Sequence, residues 1–206
     1  MADPPKRRAT YQDVLDAPEH VIAEIVDGEL RLSPRPAIPH TGAASSLGFL
    51  LGPPFQFGDG GPGGWIICVE PELHLGEDVL VPDLAGWRTE RLPTLPRDAF
   101  FTIAPDWVCE VLSPSTAAMD RAEKLPIYAA NQIGHAWIVD PRQQTLDAMR
   151  LQDGKWLLVG VHRGHARARA EPFDAIEIDL GKLWAYTVPP SPRGSRASEG
   201  DFDAEL

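Results

Sequence analysis

Long hydrophobic runs are missing from this 206-residue chain, and no stretch approaches the length of a membrane span. No apolar segment follows Lys6, Arg7 and Arg8 in the manner of a secretory signal, so the default expectation is a soluble cytoplasmic protein. Cysteine is scarce. Cys68 and Cys109 each sit in an apolar, strand-like run, which points to buried free thiols rather than a disulfide framework. Positive charge is short as well: 19 Lys and Arg against 30 Asp and Glu leave a net charge of −11. That balance is not the footprint of a high-affinity nucleic-acid binder. Action on phosphodiesters would have to rely on local basic patches, or on divalent cations that offset the repulsion. The six histidines show no metal-ligand spacing, and the glycine-rich run 58–64 lacks the lysine and Ser/Thr of a phosphate-binding loop. Neither an internal repeat nor a second domain is visible.

What is present is enough apolar material, 43% of residues, for a substantial core. Composition divides the chain into a disordered leader (1–9), one domain (10–188) and a disordered tail (189–206) with acids at Glu199, Asp201, Asp203 and Glu205. Thr10 is placed as an N-cap with Asp13 at N3, starting a short helix through Leu15. Ile22 to Leu32 reads as a hairpin about Asp27-Gly28. A proline-rich connector (Ser33 to Pro39) then leads into a helix from His40 to Leu51. Trp65 to Leu75 and Val79 to Trp87 read as a pair of strands joined at Gly76-Glu77-Asp78, followed by a surface connection from Arg88 to Pro105. Near the end, Thr145 to Leu151 and Trp156 to His162 flank an Asp153-Gly154 turn, and Ile176 to Leu180 with a segment through Trp184 closes the domain. The order predicts a mixed α/β fold, a central sheet with at least one crossover helix.

The stretch from Asp106 to Pro141 organises the rest. It reads as strand (Trp107 to Leu112), Ser/Pro/Thr turn, helix, strand (Ala136 to Val139). Buried strands of this kind are nearly continuous in Val, Ile and Leu. Glu110 interrupts the first one, and an acid there costs free energy unless something pairs with it or binds it. A metal ion, Lys124, or both are the candidate partners. Asp83, after Pro82, lies on an arm that a neighbouring strand would bring beside Glu110. Two carboxylates, with a backbone carbonyl such as that of Val111, are hard oxygen ligands suited to Mg²⁺ or Mn²⁺.

Each residue also has a plainer reading. Asp83 taken alone is a strand-end acid, and Lys124 forms an i,i+4 pair with Asp120 worth about 0.3–0.5 kcal/mol. Tyr128, Trp137 and Leu125 read as core. His40 reads as a surface residue at a helix start, and His162 and His165 as solvated side chains in a basic stretch. Arg88, Arg91 and Arg97 are candidates for a phosphate-contacting patch near Asp83, against the ordinary reading of solvated loop arginines.

The motifs VPDLAGW, CEVLSPST, D-x-x-x-K-x-x-x-Y and WIVDP, in this order between about Thr10 and Trp184, resemble the Uma-type restriction-endonuclease family of the PD-(D/E)xK superfamily. The resemblance implies a restriction-endonuclease-like core, a central mixed β-sheet flanked by helices, and a Mg²⁺-dependent phosphodiesterase site. It carries the superfamily's metal-binding aspartate onto Asp83 and the acid of its second motif onto Glu110. One departure stands out: acid-x-Lys reads Glu110-Val111-Leu112 here, so Lys124, from the helix, is the substitute for the lysine. The resemblance also draws in Glu24 as support for the metal, with Glu72 and His40 as weaker candidates of the same sort.

The leading expectation is therefore a metal-dependent endonuclease acting on DNA, as a homodimer because two related sites most simply cut both strands. The rivals are a non-cleaving binding or scaffold protein with the same fold, which the acidic charge and Leu112 favour, and a hydrolase of small phosphoesters, which needs to cover little DNA surface.

Overall fold

The computed structural model describes residues 7–114 and 117–186; the tail expected from 189 onward, the first six residues of the leader, and Ser115 and Thr116 lie outside the described residues. Ala9 donates its N–H to Gly28 O at 2.8 Å, tying the start of the described chain to the first hairpin. Helix α1 (Tyr11–Leu15) begins where Thr10 donates both its N–H and its hydroxyl to Asp13 Oδ2, at 2.7 and 2.9 Å. Strands β1 (Val21–Val26) and β2 (Glu29–Pro34) turn at Asp27 (φ 52°) and Gly28 (φ 77°). Two consecutive left-handed residues make the turn whose twist matches a hairpin, and glycine accepts it without strain.

Helix α2 (Ile38–Leu51) carries Pro39 in its first turn, where no N–H is needed. A wider π-type turn over Gly52–Phe57 follows. The predicted long strand pair is corrected by the structure. Each arm breaks in two, giving β3 (Trp65–Val69), β4 (Leu73–Leu75), β5 (Asp78–Leu80) and β6 (Leu84–Arg88). Pro71 and Pro82 sit in the two breaks, and neither can donate to a ladder, so each arm changes sheet there. The inner halves join a four-stranded sheet, β2-β1-β5-β4; the outer halves join a six-stranded one.

The six-stranded sheet continues with β7 (Trp107–Val111), β8 (His135–Asp140), β9 (Thr145–Gln152) and β10 (Lys155–Arg163), in the order β10-β9-β8-β7-β6-β3. Within this sheet β7 and β8 run parallel and the other described pairs antiparallel, which makes the sheet mixed. Their crossover holds α3 (Ala117–Met119), a π-type turn (Asp120–Lys124) and α4 (Leu125–Ala130). Two short strands, β11 (Arg167–Ala168) and β12 (Ile178–Asp179), pair near the C-terminal end, so only Ile178 and Asp179 of the predicted strand 176–180 are extended in a ladder.

The sheet separates two apolar clusters, and β7 supplies both by alternation. Trp107, Cys109 and Val111 face α2, Phe55, Phe173 and Trp184; Val108 and Leu112 face α4 and the four-stranded sheet. Gly86 on β6 lies between the rings of Trp65 and Trp107, where a Cβ would come within 3.2 Å of both. Cys109 is a buried free thiol, as expected, and Cys68 is a half-buried one. Among the described residues, no helix is long and apolar enough to cross a membrane.

Candidate active site

Glu110 shares its face of β7 with Val108 and Leu112, so it enters the second cluster as a buried acid. The register Leu84↔Cys109 on β6 and β7 carries Asp83, one residue beyond the end of β6, to a position opposite Glu110. Asp83 is held at both oxygens: Val111 N–H donates to Oδ2 at 2.7 Å, and His40 Nε2 lies 3.1 Å from Oδ1. The sequence placed Val111 here through its carbonyl; its N–H is the group that meets Asp83.

Lys124 arrives from the crossover by way of a local irregularity. Pro126 has no N–H for the carbonyl of residue 122, and Leu125 N–H instead reaches back five residues to Asp120 O. The widened turn buries both Asp120 and Lys124. Lys124 Nζ then lies 2.9 Å from Glu24 Oε1, 3.3 Å from Glu110 Oε1 and 3.6 Å from Asp120 Oδ1. Glu24, on β1, also accepts the N–H of Val81 at 2.8 Å, so the four-stranded sheet is stitched to the site at the break before β6. The i,i+4 pair with Asp120 exists, but it is the longest of the three contacts.

These groups line one cavity of about 40 Å³, with Ile22, Ser33, Pro34 and Pro36 at its edge. The electrostatics follow from three buried carboxyl groups around one ammonium, with Asp83 opposite Glu110. Burial raises the pKa of Glu110 well above the usual carboxyl range; Lys124 pulls it back, while Asp120, Asp83 and Glu24 push it further up. Burial alone would lower the pKa of Lys124, yet the combined fields of Glu110, Glu24 and Asp120 outweigh it and raise the ammonium above an ordinary lysine. Lys124 is therefore firmly charged.

Two residues whose plainer sequence readings were core (Tyr128) and helix-start surface (His40) belong here. Tyr128 is fully buried, as a core residue should be, but its hydroxyl donates to Glu110 Oε1 at 2.6 Å. Its place eight residues after Asp120 and four after Lys124, one helical face, was the available signal. His40 is buried rather than a surface residue, with Nε2 on Asp83 and Nδ1 enclosed without a partner among the described residues.

Other candidates lie elsewhere. Glu72 pairs with His74 at 2.8 Å and does not line the cavity. Arg88 and Arg91 do not form a patch near Asp83: Arg88 ends β6, five residues or about 16 Å along an extended strand, and Arg91 lies in the turn beyond it. Arg88 covers the Trp65 ring at 4.2 Å and Arg91 pairs with Asp106 at 2.8 Å. Arg97 is exposed, as is His165, but His162 is only partly so, its Nε2 enclosed without a partner among the described residues.

Sequence comparison decides the family. Residues 9–181 match the Uma2 family model, described as "Putative restriction endonuclease". The chain belongs to the Uma2 family. A solved structure from Anabaena variabilis ATCC 29413, described as "a putative nuclease belonging to DUF820", superposes with a TM-score of 0.64 at 21% identity. That alignment covers 86% of this chain and 98% of the other, so the two share a fold along nearly their whole length. No curated protein matches the chain. This Uma2 chain thus has the mixed α/β architecture of a nuclease-like fold.

The donor set is compatible with a hard divalent cation. Among the described residues, no three His, Cys, Asp or Glu side chains are poised as a ready-made metal cluster. Mg²⁺ does not require one, since it is commonly held by one or two carboxylates and keeps several waters. Asp83 opposite Glu110, in a cavity whose carboxyl groups outnumber its single ammonium, meets that description.

Proposed function

We propose that this chain is a divalent-metal-dependent endonuclease that hydrolyses phosphodiester bonds of DNA. The observation that carries the reading is the convergence of Asp83, Glu110 and Lys124 on one cavity from a strand end, a strand and a helical turn. Asp83 and Glu110, with the carbonyl of Val111, would hold Mg²⁺ or Mn²⁺, which when bound polarises a phosphoryl oxygen and lowers the pKa of a bound water. Lys124 offers a charged ammonium that orients water and stabilises negative charge growing on the phosphate. Glu24 holds that ammonium in place from the opposite sheet, at 2.9 Å. Tyr128 and His40 fix the two acids, one apiece. The cavity admits an ion and its waters, so the scissile phosphate would rest at the rim near Ser33 and Pro36.

The homodimer belongs to the same reading, because a duplex has two strands of opposite polarity and a two-fold pair of sites matches them. The cytoplasm, where DNA and Mg²⁺ are available, is the proposed location. A protein that keeps the fold without cleaving is the second reading, favoured by Lys124 being spent on Glu24 and Glu110 while Leu112 fills the usual lysine position.

Incubation with supercoiled plasmid and Mg²⁺ or Mn²⁺ tests this. Nicking that disappears with chelator and in Asp83→Asn and Glu110→Gln supports the endonuclease. Metal-independent cleavage, or cleavage untouched by both substitutions, refutes it. Metal-dependent thermal stabilisation without cleavage selects the scaffold, and turnover of a small phosphodiester alone selects a small-substrate hydrolase.

A further inference from the structure

We propose that the outer face of α2 is the contact surface between two copies of this chain, packed antiparallel about a two-fold axis near Ser45. The proposal rests on the dimer part of the reading above and names the surface that forms it. Between Arg35 and Asp59 there is no Asp, Glu, Lys or Arg, in a chain where those residues make up 24%. The fold accounts for only half of that. Ala43, Ala44, Leu47 and Leu51 face the core, while Ile38 and Phe49 on the other side are 87% and 79% exposed. Gly42 and Ser45 lie between them on the same face, at helical spacing, and both are exposed. Large apolar side chains exposed together on one uncharged helix face mark an interaction surface.

A second copy fits this face better than another occupant, for reasons of charge and shape. In an isologous contact each patch meets itself, so a patch bearing one sign of charge would repel its own image. The outer face of α2 bears none, in a chain whose net charge is −11. Nucleic acid or an anionic lipid surface would call for basic residues that this face lacks. The relief is also self-complementary. A hollow of about 100 Å³ lies against Ile38, Gly42, Ser46 and Tyr186, and a groove of about 290 Å³ runs beside Gly52, Phe57 and Val69. Antiparallel helices crossing at Ser45 bring Phe49 of each copy to the partner's hollow at Gly42. They bring each Ile38 to the partner's groove at Gly52. The small residues at the crossing let the two backbones approach closely. Since His40, in the first turn of α2, touches Asp83, this packing also fixes the spacing of the two candidate sites.

Light scattering after gel filtration of the full chain is the test, with Phe49→Asp and Ser45→Cys as variants. The expected results are a wild-type mass twice the 22.5 kDa of one chain and a Phe49→Asp variant at one chain mass that still melts cooperatively, at a temperature no longer dependent on protein concentration. Ser45→Cys should become a disulfide-linked dimer under mild oxidation, and should fail to do so when combined with Phe49→Asp. A dimer that survives Phe49→Asp, or a Ser45→Cys dimer that never cross-links, overturns the surface while leaving dimerisation standing. A monomeric wild type overturns both. Monomeric wild type that sediments with phosphatidylglycerol vesicles through Phe49 assigns the face to a membrane and equally overturns the proposal. None of these readouts uses cleavage, so the fate of the nuclease reading is separate.

Discussion

Tyr128 and Lys124 converge on the same oxygen: the tyrosine hydroxyl donates to Glu110 Oε1 at 2.6 Å, and Lys124 Nζ stands 3.3 Å from that atom. Both donors come from the crossover between β7 and β8, four residues or about one helical turn apart. Glu110 is thereby clamped from one side, while Asp83 lies opposite it across the β6–β7 register.

Tyr128→Phe keeps the ring in the core and deletes only the hydroxyl. The buried acid loses its shortest hydrogen bond, which should lower stability by about 1–3 kcal/mol. A urea denaturation midpoint equal to wild type would remove Tyr128 from the site. Cleavage should fall as well, because Glu110 would no longer be held in one rotamer.

Lys124→Met fills a similar volume but leaves Glu24, Glu110 and Asp120 facing one another without their cation. Removing one partner of a buried charge cluster costs about 3–5 kcal/mol. Lys124 has a raised pKa, so its contribution is complete below the ordinary lysine value of 10.5 and fades as pH rises above it. The penalty should also shrink in acid, where Glu110, raised by burial, takes up a proton. Thermal melts of both proteins between pH 4 and 8 check this; a penalty independent of pH would show that packing, not charge, is what Lys124 supplies.

Glu110→Gln should separate stability from function. The folded carboxyl has a raised pKa because of burial, so ionising it costs stability as pH climbs from the ordinary glutamate value of 4.5 toward the raised one. A neutral isostere is free of that loss. The variant should melt no lower than wild type at pH 8 and lower, relative to wild type, at pH 4. Its midpoint should no longer rise with Mg²⁺ or Mn²⁺. A variant that is less stable at pH 8 than at pH 4, relative to wild type, contradicts the assignment.

Asp83→Asn tests the metal from the other side. A cation that binds only the folded chain stabilises it by about 2.7 kcal/mol at a hundredfold excess over its dissociation constant. Wild type should therefore show a metal-dependent rise in melting temperature that Asp83→Asn lacks. Equal shifts in both would place the cation elsewhere.

The sequence by itself determined much of the local structure and the need for a partner at Glu110. Asp27-Gly28 dictates its hairpin because two left-handed residues in a row admit little else, and Glu110 announced itself as an acid inside an apolar strand, where an unpaired charge is costly. The spacing of Asp120, Lys124 and Tyr128 already put three polar groups on one helical face. Only the tertiary structure decided what those groups meet. The strand arms 65–75 and 79–87 divide between two sheets because Pro71 and Pro82 interrupt their ladders, and no local pattern states which neighbour each half then finds. Glu24 reaches Lys124 across a separation of one hundred residues, and His40 reaches Asp83 from a helix whose burial depends on a sheet formed later in the chain. Periodicity records which side of an element is apolar; it holds no record of the element packed against that side.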